Sequence, residues 1–259
     1  MPLRSILFLT YFLGSSLAAL AYPMAGVICY IVLYHVYPQT TWWGRALEPF
    51  GLRYSFVCGL ALLIGATLTL NRLRFGLRAV HPVEAGVVLL FGGMVLSTVT
   101  GGHWNVRTEF VLDKMWKVFL FVLVMAHVVT SRRNLWQLTV LLTALAFYLG
   151  HEARSAPPGA FTENRLNGIG GPDFRESVGL ALHLLALLPF AAVVLREKAL
   201  GISLLAVLAA AYSVNAIILC RARAAFLAAL AAGLAALCYV PRGRRLWVAG
   251  LLAAGLAGT

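Results

Sequence analysis

ALGISLLAVLAAAYSVNAIILCRARAAFLAALAAGLAALCYV, residues 199–240, is the stretch that decides the fold of this chain. Apolar runs at 199–220 and 224–240 flank Arg221 and Arg223. A helix crosses a hydrocarbon core of ~30 Å with about 17–25 residues, and each run has that length. An ionised side chain at membrane depth costs at least about 2.5–3.5 kcal/mol even on the most lenient scale. The arginine pair is therefore expected at a membrane surface or in a polar cavity, where the chain reverses and an anionic partner would meet two guanidinium groups.

Working outward, apolar windows recur at 5–22, 24–37, 54–71, 82–100, 112–130, 135–150 and 177–195, and a tenth window opens at Leu246. The window 24–37 is short, as a re-entrant segment would be. The pattern predicts an all-α, polytopic transmembrane helix bundle of about nine to ten spans, forming a single transmembrane domain over residues 1–259. Composition agrees. The chain is 61% hydrophobic and only 12% charged, with a mean hydropathy of +0.86, more apolar than a water-soluble core of this size needs.

A net charge of +12 raises nucleic acid as a partner. The basic residues, however, stand in short clusters between apolar spans, with no basic face and no aromatic platform to follow a strand, so no nucleic-acid partner is expected. The four cysteines, Cys29, Cys58, Cys220 and Cys238, lie in or at the ends of apolar windows with no zinc-type spacing, and read as small packing residues. His35, His127 and His183 lack a second ligand one turn away and read as packed, hydrogen-bonded histidines. No metal and no cofactor is expected.

Dense basic clusters mark the connections expected on the cytoplasmic side: Arg72, Arg74 and Arg78; Arg132 and Arg133; Arg196 and Lys198; Arg242, Arg244 and Arg245. The segments 38–53, 101–117, 151–176 and 221–223 then face outward. The longest is 151–176, HEARSAPPGAFTENRLNGIGGPDFRE, with four carboxylates, three arginines and His151 among Gly and Pro. As a bare composition it is equally a solvated connector whose charges pair with each other. Lys114 and Lys117, in DKMWK at 113–117, read first as lysines that snorkel to the headgroups, and Trp42 and Trp43 as an interfacial aromatic belt.

Four stretches, taken in order, resemble the O-antigen ligase and polymerase superfamily of bacterial envelope glycosyltransferases, and more closely its O-glycosylation ligase branch associated with exosortase systems. YHVYPQTTWWG at 34–44 is similar to that branch's tyrosine, Asn-Pro-His and Trp-Gly pattern, with Tyr37, Pro38 and Gln39 in place of Asn-Pro-His. DKMWK followed by a helix and SRRN at 131–134 is similar to its lysine-led helix and Thr-Arg-Glu-Arg exit. NRLNG at 164–168 with GPD at 171–173 resembles its Arg-x-x-Gly and Gly-Pro loop. ARAAFLAA at 222–229 resembles the superfamily's Ser-Arg-Gly-Ala-Phe-Leu motif, with Ala222 for Ser and Ala224 for Gly, and makes 199–259 the start of the ligase core domain.

The resemblance implies a metal-independent transferase of the bacterial inner membrane. Such an enzyme moves a glycan from undecaprenyl pyrophosphate to an acceptor hydroxyl of a lipid, protein or polysaccharide on the periplasmic face. Arg223 carries over as the motif arginine. Arg221 and Arg165 are its expected companions on the pyrophosphate, because a planar guanidinium grips phosphate oxygens bidentately and stays protonated, and Lys117 would add a fourth cation. The family's catalytic histidine belongs to an external loop after the tenth span, beyond Thr259, so the chain is expected to be the N-terminal part of such a protein, inactive alone. His151, Glu152 and Asp173 are weaker substitutes for that base. A polymerase of repeat units and a transporter or flippase of an anionic lipid or small anion are the rival readings. The transporter would need repeat symmetry that the sequence does not display.

Overall fold

The computed structural model describes residues 2–41, 43–69, 82–101, 106–174, 176–197 and 199–239. Trp42, the clusters at Arg72–Arg78 and Arg242–Arg245, Lys198 and the tenth window from Leu246 lie outside the described residues. The rest is all-α, with nine α-helices and four short 3-10 helices among the described residues; the α-helices are α1 Leu3–Ala21, α2 Pro23–His35, α3 Tyr54–Leu68, α4 Pro82–Thr100, α5 Val106–Val128, α6 Arg132–Arg154, α7 Ser177–Val194, α8 Leu200–Cys220 and α9 Arg223–Tyr239. The one exception is a minimal hairpin, β1 Phe161–Thr162 against β2 Arg165–Leu166.

Three helices, α1, α7 and α8, are long and apolar enough to cross a membrane. Shorter apolar helices run over Pro23–His35, Tyr54–Leu68, Glu84–Thr100 and Arg223–Ala235. At a rise of ~1.5 Å per residue, the thirteen residues of α2 reach only about 20 Å, short of the hydrocarbon core. α5 and α6 have the length but carry charge: Asp113, Lys114 and Lys117 toward the middle of α5, Arg132, Arg133 and Arg154 at the ends of α6.

The boundaries have local causes. Tyr22 precedes a proline and leaves the helical region, and Pro23, needing no N–H partner, opens α2. α6 starts at Arg132, earlier than its apolar window, because the Ser131 hydroxyl accepts the Asn134 N–H at 3.0 Å as an N-cap. It also continues past Gly150 to Arg154, so His151 and Glu152 belong to its last turn rather than to the following loop.

The chain divides into two compact units, Met1–Tyr34 with Pro38–Leu138, and His35–Tyr37 with Thr139–Thr259. In the first, α1 and α3 cross so closely that a Cβ on Gly65 would fall 1.9 Å from the Ala19 carbonyl oxygen. Glycine is the residue that permits such contact between apolar helices. Phe8 and Phe12 meet the Tyr54 ring edge-on, at 5.3 and 5.1 Å, and the buried Ser5 hydroxyl donates to the Trp43 carbonyl at 2.7 Å. Cys29 and Cys58 are free and fully buried.

In the second unit α7 packs against both α8 and α9. Ala146, Leu187 and Ala209 form a core cluster under Leu142, Phe147 and Phe190. α6 approaches α8 backbone to backbone: a Cβ on Gly150 would lie 2.7 Å from the Tyr212 carbonyl carbon. Small residues at helix crossings are thus the packing rule of both units.

Candidate functional site

The site is built at one end of the second unit. Only five residues separate α7 from α8, which makes the two antiparallel neighbours and stands the C-terminus of α8 beside the N-terminus of α7. There α8 ends on Arg221, in the left-handed region at φ 47° and ψ 39°. Ala222 follows, only 8% exposed, and Arg223 opens α9. The buried Ala222 between two exposed neighbours turns Arg221 and Arg223 outward. Neither makes an ion pair among the described residues.

Left-handed backbone costs a residue with a Cβ roughly 1–2 kcal/mol, and a helix that stops this way normally does so on glycine. Arg221 holds that position with no glycine-like freedom. The strain is local, observed, and centred on a charged side chain.

The connection expected over 151–176 begins only after Arg154 and includes regular elements. Glu163 and Asn164, at φ 51° and 61°, form a two-residue reversal between β1 and β2 with both central residues left-handed. Leu166 on β2 is fully buried and β2 packs on α8, while Arg165 is exposed. Asn167 then accepts the Ser177 N–H on its Oδ1 at 3.0 Å, satisfying an otherwise orphaned donor at the start of α7. That bond ties residues 164–168 to the end of the unit where α8 stops, so Arg165, Arg221 and Arg223 belong to one end of one unit.

Lys117 lies in the first unit, exposed, paired with Asp113 one helical turn before it. Its setting is a cleft of about 550 Å³ between α2, α3 and α5, with Arg53, Asp113 and Lys117 among its lining residues. Segments 38–53 and 101–117, expected on one side of the membrane, thus contribute charged residues to one cleft.

Of the weaker base candidates, His151 sits on the last turn of α6 with its ring 6.0 Å from both Phe147 and Tyr212, Glu152 is exposed beside it, and Asp173 lies in a short 3-10 turn, Pro172–Phe174. Arg154, which the sequence did not single out, places its guanidinium 6.0 Å from the Tyr212 ring centroid.

The histidines are packed and hydrogen-bonded, as the sequence reading had them. His127 Nδ1 donates to the Leu123 carbonyl at 2.8 Å. His35 and His183 meet Nε2 to Nε2 at 2.9 Å under the ring of Phe174, itself 4.5 Å from His183. One ring must donate and the other accept, so the pair carries a proton on only one of the two facing nitrogens. Sequence gave no signal for this pair, whose members are 148 residues apart. Among the described residues no group of three or more His, Cys, Asp or Glu is arranged to hold a metal ion. No protein-family model, curated protein or solved structure matches the chain.

Proposed function

We propose that this chain belongs to a multi-pass membrane glycan ligase of the bacterial inner membrane, and that the arginine end of its second unit binds the diphosphate of an undecaprenyl-diphosphate-linked glycan. The observation that carries this reading is the Arg221-Ala222-Arg223 turn: two exposed guanidinium groups without an ion pair among the described residues, one of them on a strained backbone. Strain of this kind persists where surrounding structure imposes it, and it concentrates at ligand clamps. Arg165, on the hairpin at the same end, supplies a third cation.

The chemistry suits such a set. As the glycosidic C–O bond breaks, its electron pair stays with the departing diphosphate, while the acceptor oxygen bonds to the sugar carbon and gives up its proton. Charge therefore grows on phosphate oxygens in the transition state. Guanidinium groups gathered at that end would offset the growing charge.

The test is donor binding by the detergent-solubilised chain. Arg223→Ala is expected to weaken binding of undecaprenyl-diphosphate-linked glycan about 10–100-fold, the loss of one charge-assisted contact of ~1.5–3 kcal/mol. Arg223→Lys is expected to recover little of it, because a point charge lacks the bidentate fork. Unchanged binding in both Arg223→Ala and Arg221→Ala would remove the turn from the mechanism. If Arg221→Ala is the damaging change instead, the diphosphate contact moves two residues back and the reading stands.

A further inference from the structure

The cleft in the first unit has a polar end and an apolar body. Arg53 is the N-cap of α3 and Ser55 its second residue, and Asp113 and Lys117 lie near the middle of α5, while Leu60, Leu63, Leu120 and Val124 lie further along the same helices. From Lys117 to Val124, and from Ser55 to Leu63, a helix advances about 10–12 Å. The polar groups are thus gathered at one end of an apolar trough of that length. Phe56, Leu60 and Leu63 are exposed along it, and Tyr30 and Phe121 stack at 4.2 Å across it.

We propose that this trough is a binding site for one glycerophospholipid with a singly anionic headgroup, its phosphodiester on Arg53 and Lys117 and one acyl chain along Leu60, Leu63, Leu120 and Val124. Three features choose this occupant. Trp116, 47% exposed between Asp113 and Lys117, is the residue type that sits at headgroup level, so the polar mouth and the headgroup plane coincide. Arg53 has no ion pair among the described residues, and with Lys117 and Asp113 gives the mouth a net charge of about one positive unit. That matches a monoanionic phosphodiester and not a diphosphate. Gly59 leaves the trough open, since a Cβ there would meet Tyr30 only at an ordinary 3.6 Å.

The site is formed by residues of the first unit alone and does not depend on the ligase reading. Its test is native mass spectrometry of the detergent-solubilised chain titrated with phosphatidylglycerol or with phosphatidylcholine. One phosphatidylglycerol is expected to be retained preferentially. Arg53→Gln is expected to lower its retention about fivefold, toward that of phosphatidylcholine, at ~1 kcal/mol per basic residue at an anionic lipid surface. Gly59→Trp, which fills the trough, is expected to abolish retention of both lipids. Lys117→Gln, at a side chain 58% exposed and therefore harmless to packing, is expected to repeat the fivefold loss even if Gly59→Trp fails to fold. Equal retention of the two lipids, or unchanged retention in both Arg53→Gln and Lys117→Gln, overturns the proposal. So does displacement of phosphatidylglycerol by equimolar undecaprenyl diphosphate, which would make the trough a donor site.

Discussion

The two units handle positive charge on an apolar helix bundle in opposite ways. In the first, Lys117 sits within α5 and Asp113 neutralises it from one turn away, an arrangement the helix supplies for itself. In the second, Arg221 and Arg223 stand in a break between helices, where the backbone is strained and no carboxylate pairs with them among the described residues. The Asp113 pair leaves Lys117 to meet an anion only together with Arg53, whereas a charge held on strained backbone without a counter-ion is half of an interaction by itself.

Helix packing is where the units are most alike, and where substitution should cost most. Gly65→Val and Gly150→Val each force a side chain into a neighbouring helix, at Ala19 and Tyr212 respectively. Each is expected to destabilise the fold by about 3 kcal/mol, read as a lowered thermal midpoint in detergent. If only one of them does so, the shared packing rule fails for the other unit.

The charge contrast is sharpened by Arg221→Gly. Glycine relieves the left-handed strain, so stability is expected to rise by about 1–2 kcal/mol while donor binding weakens. A gain in stability with full binding would make Arg221 a helix stop and nothing more; no gain would mean that other contacts compensate the strain. The smallest effect is expected at Asp113→Asn. Exposed pairs of this kind contribute under about 1 kcal/mol, so the thermal midpoint should hardly move. A large loss would show that the Lys117 pair organises α5, and the two units would then differ less than their charges suggest.

Much of the helix content was legible in the sequence because apolar runs between charges leave little choice in a bilayer. The window 82–100 coincides with α4, and 199–220 with α8 to within a residue. α6 was misjudged at both ends. Its start depends on the Ser131 cap rather than on hydrophobicity, and Gly150 looks like a stop signal but is the point where α8 comes close. The hairpin at 161–166 escaped because two-residue strands show no alternation and its reversal uses Glu163 and Asn164 rather than Asn-Gly. At the candidate site the arginines could be picked out by the cost of charge among apolar residues. Their backbone strain, and the assignment of Lys117 to a different unit, depend on contacts between segments that no local pattern encodes.

The pairing of His35 with His183 has a consequence for how the protein is made. His35 is 3% exposed and belongs with the second unit, yet its partner follows 148 residues later. At about 5–20 residues per second, His183 leaves the ribosome roughly 7–30 s after His35. Throughout that interval the hydrogen bond between the two rings cannot form. The second unit therefore cannot close until the earliest helices and α7 have both been delivered, and its completion is a late event in biogenesis, timed by translation.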